Sequence, residues 1–499
     1  MSRKYKSVAE RSKGDTALKV VLMTVIILIM AGTCIYFLAD IIMQDKPDEP
    51  DPGPADEPEA DLPPDNGHEN TPGTENGQQP EHDPEPSPGL PAINITVADL
   101  SVIYPELSDA LAEESLAHNC AGVGMVVYDG YADMFYAFNY GYADKIADRP
   151  VNTDTKFRVA SLSKLITALC AMILVDEGKL DLDTDISVYL GYEVKNPNYP
   201  DVTLTPRMLL QHTSTVLDTQ TFHDSASGAA WVPTQDLLGR SSSFWNRKPG
   251  TAFEYTNFGY SVLGAIIEYI SRIKLDDFAH EYIFEPLDID ASFLPSNLTD
   301  KGNIAALYDS GHSVTRSVTT QIENSRTGDL GQDQHLAQGG LMISALDYAK
   351  ILAMLGNGGV FQERRILSQE AVAEIHNADF ANPEYMQGLS TRFTPGANPE
   401  DDPAQDDLDR LIWRYLNVDG TQVPSDGFYW HTGSAYGVFA QYIYIAGSGT
   451  DKGIGGEDTS RGVVVITTGA STARASNGMV NVCTHLSVIA WQELGFDQR

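Results

Sequence analysis

The segment FRVASLSKLITALC, Phe157–Cys170, sets Ser161 and Lys164 three positions apart at the start of an apolar run. Leu162, Leu165, Ile166, Leu169, Ile173 and Leu174 in that run follow helical spacing. Three residues along a helix bring side chains onto one face, one turn apart, so a lysine amine there reaches back to the serine hydroxyl. A serine hydroxyl is a weak nucleophile until a neighbour takes its proton, and a desolvated lysine is one such neighbour. A helix N-terminus adds partial positive charge and backbone N–H groups suited to an oxyanion. The plain alternative is a helix cap beside a solvated lysine. The spacing alone does not decide, because it recurs at Ser271 and Lys274 in YISRIKLDDF.

Two further segments separate the copies. KPGTAFEYTNFGYSVLGAIIEYI places Tyr255 and Asn257 just before a second apolar helical run. A phenol relays protons, and an amide orients a lysine or holds a substrate amide. This pair also recurs, at Tyr415 and Asn417. FYWHTGSAYGVFAQYIYI places His431, Thr432 and Gly433 at the opening of a strand. A strand edge beside the serine offers the Ser434 N–H as a second oxyanion donor and aligns an extended substrate. His212 and Thr213 in LLQHTST read as structural.

Ser-x-x-Lys, then Tyr-x-Asn 94 positions on, then His-Thr-Gly on a late strand resembles the penicillin-recognising serine hydrolases. The chain is similar to their branch of class C β-lactamases, D-alanyl-D-alanine carboxypeptidases and related esterases. The likeness extends through NYGYADKIADRPVNTDTKFRVASLSKLITALCAMILVDEGKLDLDTDISVYL and QGGLMISALDYAKILAML. It implies that Ser161 is acylated, that Lys164 and Tyr255 share acid and base work, and that Asn257 supports them. It also implies that His431, Thr432 and Gly433 line the substrate strand, with the Ser161 and Ser434 N–H groups as oxyanion hole. Two departures stand out. Thr215 replaces the glycine of the family's His-Thr-Ser-Gly segment. His431 replaces a lysine usual in β-lactamases, which favours peptidase- or esterase-like members. A histidine there changes charge near neutral pH and would bind a substrate carboxylate in its protonated form.

The elements that must position these residues read as an α+β fold. Gly122–Gly130 and Met134–Asp144 form a β-hairpin, and Val438–Gly447 and Gly462–Ala470 are late strands. Helical periodicity marks 205–215, 258–273, 344–356 and 368–376, with a closing helix near 478–494. One antiparallel sheet built from both chain ends, flanked by helices and carrying an inserted helical lobe, is the expected architecture.

The 499 residues divide by composition. Residues 1–19 form a basic tail carrying Arg3, Lys4, Lys6, Arg11, Lys13 and Lys19. Residues 20–39 hold no charge and at 1.5 Å per residue span about 30 Å, a bilayer core. Residues 40–92 are dominated by Pro, Asp, Glu and Gly and read as an extended, unfolded tether. Residues 93–499 remain for the folded hydrolase domain. Positive charge ahead of the apolar run and acidic residues behind it predict a single-pass anchor, N-terminus cytoplasmic and domain outside. A cell-wall peptidyl or ester substrate and the membrane are the expected partners. No metal or organic cofactor is implied. The net charge of −36, without clustered Lys and Arg in the domain, argues against nucleic acid. Of four cysteines, Cys34 lies in the apolar run, and Cys120, Cys170 and Cys483 read as buried thiols, with a Cys120–Cys483 bridge as the alternative. A β-lactamase, or a pocket-bearing sensor that does not turn over, are the rival functions.

Overall fold

A computed structural model describes residues 93–382, 385–394, 427–447, 458–474 and 478–494. The predicted tail, anchor and tether, with Cys34, lie outside these residues, as do Tyr415 and Asn417. Among the described residues no helix is long and apolar enough to cross a membrane.

The strands Gly122–Asp129, Met134–Asp144, Val438–Ile445 and Arg461–Thr468 are rich in β-branched and aromatic residues and form the middle of one large sheet. Every residue of Gly122–Asp129 is buried, which marks a strand covered on both faces. Alternation sorts its side chains. Val126 and Tyr128 face the larger core with the inserted helices, while Val123, Met125 and Val127 face a second core under the helices Pro105–Ala117 and Asn481–Glu493. Gly122–Asp129 pairs antiparallel with Arg461–Thr468, Gly124 opposite Ile466, so the two chain ends meet at the centre of the sheet. Val438–Ile445 and Phe428–Ala435 continue it. Three short strands, Arg392–Thr394, Tyr385–Gln387 and Phe380–Asn382, extend that edge.

The α+β reading holds, with two local corrections. The opposite edge, Thr96–Asp99, pairs parallel with Met134–Asp144. The helix expected over 205–215 spans only Pro206–Leu210, because His212 and Thr215 take left-handed backbone, φ +58° and +67°. Thr215 holds that conformation while its Oγ1 accepts a hydrogen bond from Asn196 Nδ2 at 2.9 Å. The Asn257–Ser271, Ala345–Gly356 and Gln369–His376 helices fall where periodicity places them. Cys120, Cys170 and Cys483 are buried, and none is in a disulfide.

The chain enters the Ser161 turn from a buried charge cluster. The Lys156 and Lys350 ammonium groups each donate to Asp347 at 2.9 Å, and Ser344 Oγ donates to it at 2.9 Å. Burial raises the Asp347 carboxyl pKa, but Lys350 and Lys156 outweigh that and hold it below the usual range. Next, Phe157–Arg158 pairs with Met342–Ile343, and the Val159 N–H donates to Leu341 O at 3.0 Å. The segment ahead of Ser161 is thereby fixed on both sides.

Candidate active site

Ala160 has φ +49°, a left-handed conformation that strains any residue with a Cβ by about 1–3 kcal/mol. It turns the chain into a short 3₁₀ turn, Ala160–Leu162, which runs into the Ser163–Asp176 helix. Ser161 therefore stands in a turn and Lys164 in the helix's first turn. Three bonds lock the bend. Ser163 Oγ donates to Ala160 O at 2.6 Å, the Leu341 N–H donates to Ser163 Oγ at 3.0 Å, and the Tyr348 hydroxyl donates to Leu162 O at 2.9 Å. Ser161 lines a cavity of about 630 Å³ together with Tyr255, Asn257, His431, Thr432 and Ser434.

Lys164 is fully buried. Its ammonium donates to Gln338 O at 2.6 Å and Asn257 Oδ1 at 2.8 Å, and lies 3.3 Å from Ser161 Oγ. Three N–H bonds thus have three acceptors, none of them a carboxylate. The rings of Tyr255 and Tyr260 stand 5.0 and 5.6 Å from the nitrogen, within cation–π range.

Asn257 opens its helix, with Thr256 as cap accepting from the Gly259 N–H. Asp218 completes this end. Its carboxylate accepts from the N–H groups of Asn257 and Phe258 at 2.8 Å each and from Asn257 Nδ2 at 2.8 Å. With the donor end of the amide held by Asp218, the oxygen end must face Lys164. The sequence carries no signal for Asp218. It is a single loop aspartate whose partner lies 39 positions on.

The Tyr255 ring lies against His212, centroids 4.3 Å apart and tilted by 32°. Its hydroxyl is enclosed and has no hydrogen-bond partner among the described residues. A buried hydroxyl without a partner is uncommon, and here it borders the cavity. His212 Nδ1 accepts from the Thr256 N–H at 3.2 Å, which assigns the ring proton to Nε2. Burial, then Lys164 and Arg392, hold its pKa well below the usual value, so His212 is a neutral plate under Tyr255.

His431, Thr432 and Gly433 lie on Phe428–Ala435, as expected. Gly433 is needed for close approach. A Cβ there would stand 2.3 Å from Val159 O and 3.3 Å from the Ser161 nitrogen. The strand therefore lies against the serine turn and carries Ser434 to the cavity wall beside Ser161.

The surroundings of His431 disfavour the titrating charge expected of it. The ring is buried, and Nδ1 lies 2.9 Å from Thr432 O. Burial foremost, then Arg392, Lys164 and His212, push its pKa well below the ordinary histidine value, so it stays neutral through physiological pH. Arginines supply the charge instead. Arg474 Nη1 donates to Thr432 Oγ1 at 3.2 Å and to Gly478 O at 2.8 Å. The Arg392 guanidinium lies over the rings of Tyr385 and Trp430, 4.6 and 5.0 Å from their centroids. Arg158 bonds His335, whose pKa burial, Arg158 and Arg316 push down to about 3. All three arginines line the cavity, and no described carboxylate does.

The second Ser-x-x-Lys pair has no such setting. Ser271 Oγ donates to Ile267 O within its own helix at 2.8 Å, and Lys274 donates to Gly328 O.

The Beta-lactamase family model matches residues 108–479, and the chain belongs to that family of serine hydrolases. Penicillin-binding protein 4* of Bacillus subtilis is 32% identical over 167 residues, 33% of this chain and 36% of that protein. Protein flp of Staphylococcus aureus is 28% identical over 169 residues, 34% of each. The matched stretch thus spans about a third of these relatives' length. Among solved structures, the octameric penicillin-binding protein homologue from Pyrococcus abyssi superposes with a TM-score of 0.57 at 21% identity, covering 79% of this chain and 77% of that one. The β-lactamase/D-alanine carboxypeptidase from Pseudomonas syringae gives 0.56 at 18% identity, covering 79% and 99%. At such identities these structures establish the shared fold.

Replacing Asp218 tests the positioning argument. Asp218→Ala is expected to lower unfolding free energy by about 0.5–2 kcal/mol through the lost helix-end bonds. It should also slow acylation of Ser161 by an active-site probe on the order of 10–100-fold through the released Asn257 amide. Urea denaturation and labelling rates measure the two effects. Unchanged labelling would show that Asp218 does not orient the site.

Proposed function

We propose that the protein is a cell-envelope acyl-transfer hydrolase, D-alanyl peptidase- or esterase-like, which forms an ester on Ser161 and then hydrolyses it. The observation that carries this reading is the Lys164 ammonium, shared among Ser161, Asn257 and Gln338 without a carboxylate, beside the enclosed Tyr255 hydroxyl. Ser161 Oγ attacks the substrate carbonyl, whose oxygen is held by the Ser161 and Ser434 N–H groups. For this step Lys164 acts as the free amine: it or Tyr255 takes the serine proton, which then passes to the leaving amine or alkoxide. Water then attacks the acyl-enzyme by the reverse route, and Ser161 is regenerated.

The cavity supports an anionic substrate. Arg158, Arg392 and Arg474 line it in a chain of net charge −36. Arg474, bonded to Thr432 on the substrate strand, is the group best placed to receive a carboxylate beyond the scissile bond. The names of similar proteins, a penicillin-binding protein and a D-alanine carboxypeptidase among them, support a D-alanyl substrate. The composition of residues 1–92 supports delivery of the domain outside the membrane on an anchor at 20–39.

Three experiments test this reading. A fluorophosphonate or labelled β-lactam is expected to modify Ser161. Ser161→Ala should abolish labelling, Ser271→Ala should leave it intact, and Lys164→Ala should slow it by about 10²–10⁴-fold. Labelling that survives Ser161→Ala would sink the assignment.

Turnover of a D-alanyl dipeptide, a neutral short-chain ester and a β-lactam then separates peptidase, esterase, β-lactamase and non-turnover readings. For the carboxylate-bearing dipeptide, Arg474→Ala should cost on the order of 10–100-fold in kcat/KM, the worth of one charged hydrogen bond, and leave the ester nearly unchanged. Because the His431 pKa is depressed, no difference between the two pH profiles should arise near 6.5. A difference there that disappears in His431→Lys would restore His431 as the carboxylate contact.

Protease added outside intact cells should degrade the folded domain. Complete protection with the membrane sealed would refute the N-in topology.

A further inference from the structure

We propose that Glu114, His118 and His485 form a divalent transition-metal site, of the zinc class, on the sheet face covered by the Pro105–Ala117 and Asn481–Glu493 helices. Glu114 lies near the end of the Pro105–Ala117 helix, and His118 caps it one turn later, so both point from one face. His485 stands in the first half of the Asn481–Glu493 helix, which packs against it. The three donor atoms form a closed triangle. Glu114 Oε1 is 3.0 Å from His118 Nε2 and 2.8 Å from His485 Nδ1, and the two nitrogens are 3.3 Å apart. In a tetrahedral zinc site with bonds of about 2.0–2.1 Å, ligand atoms stand about 3.3 Å from one another. An ion slightly above the triangle therefore reaches all three without large movement.

The protonation pattern points the same way. His118 Nδ1 lies 3.3 Å from Ser471 O, an acceptor only, so that nitrogen carries the proton. Its Nε2 lone pair then faces the triangle, where a carboxylate oxygen and a second imidazole nitrogen also converge. A proton on His485 Nδ1 bridges these groups in the absence of metal, and a divalent cation can displace it and take all three donors as ligands. A backbone carbonyl holding the far nitrogen of a ligating histidine is also the usual outer support of such sites. Two imidazoles and one carboxylate suit zinc, cobalt, nickel or copper, whereas magnesium and calcium take oxygen sets. The three side chains retain 25%, 18% and 35% of their exposure in the order Glu114, His118 and His485, which leaves the ion an entry path and a fourth position for water.

The placement defines what the ion does. It joins the end of the Pro105–Ala117 helix to the Asn481–Glu493 helix, across 367 positions of sequence. It also tightens a third segment, because the Ser471 N–H donates to His118 O at 2.8 Å while Ser471 O meets the His118 ring. Three residues further on, Arg474 enters the catalytic cavity. The ion is thus a clamp on the chain ends and on the segment that presents Arg474. The metal site does not depend on the catalytic reading.

Zinc binding to the full chain, stripped with chelator, tests this. Calorimetry with zinc chloride should give one site of micromolar affinity or tighter that is lost in His485→Ala and in Glu114→Gln. Zinc should raise the Tm of the unmodified chain by a few degrees and leave both variants unmoved, since only a ligand of the folded state stabilises it. Cobalt in place of zinc should give intense visible bands of a four-coordinate site. Because His68 and His82 lie in the acidic stretch 40–92, the difference between the unmodified chain and the variants is the readout. Glu114→Gln preserves shape, so it remains informative if His485→Ala folds poorly. An equal zinc response in unmodified chain and variants, or no response in the unmodified chain, overturns the proposal.

Discussion

A buried ammonium without a counter-carboxylate is the constraint on which the site depends. Taking such an ion out of water costs several kcal/mol unless its hydrogens are met. Lys164 meets them with an amide oxygen, a backbone carbonyl and the serine hydroxyl. Each partner imposes a condition further out. Asn257 presents oxygen only because Asp218 takes its nitrogen. Gln338 presents its carbonyl from the short Leu336–Gly339 helix, held to the Lys164 helix by Thr167 Oγ1 donating to Ala337 O at 2.7 Å. The Tyr255 ring keeps its place because neutral His212 lies beneath it.

The sheet supplies the other half of the site. Gly433 lets a strand backbone touch the serine turn, and Ala160 spends a left-handed conformation to project Ser161 toward that strand. Such strain persists only where surrounding structure over-determines it. Here the paired strands at Phe157–Arg158 and the Asp347 cluster hold the approach, and Tyr348 holds the exit. The helical lobe brings Lys164, Tyr255 and Asn257 to the cavity, and the sheet brings Thr432 and Ser434.

Much of this was legible in the sequence where the signal is local. Ser161 with Lys164, Tyr255 with Asn257, and His431-Thr432-Gly433 are short motifs on elements announced by periodicity, and the structure gathers all three around one cavity. The long central strands were legible for the same reason. The three-residue edge strands were not, since so few residues carry no period. Asp218 and Arg474 were not, because their partners are distant in sequence. The neutrality of His431 was hidden for a different reason. Charge state follows burial and the neighbourhood of Arg392 and Lys164, which no spacing encodes. Thr215 shows the limit from the other side. A residue that looks unsuited to its family's glycine position keeps the left-handed turn, helped by Asn196 from another loop.

The meeting of both chain ends at the sheet centre governs how the protein comes into being. The Gly122–Asp129 strand finds Met134–Asp144 almost at once through a short turn, but its other edge pairs with Arg461–Thr468. During synthesis nearly the whole domain is made before that edge is covered. Until then an apolar strand, meant to be enclosed on both faces, offers an open row of N–H and C=O groups to any neighbouring chain. Pairings so distant in sequence close slowly, and the waiting species is the one most prone to misassociate. The domain's acidity counters this, since partly made chains of strong like charge repel one another before their last strand arrives.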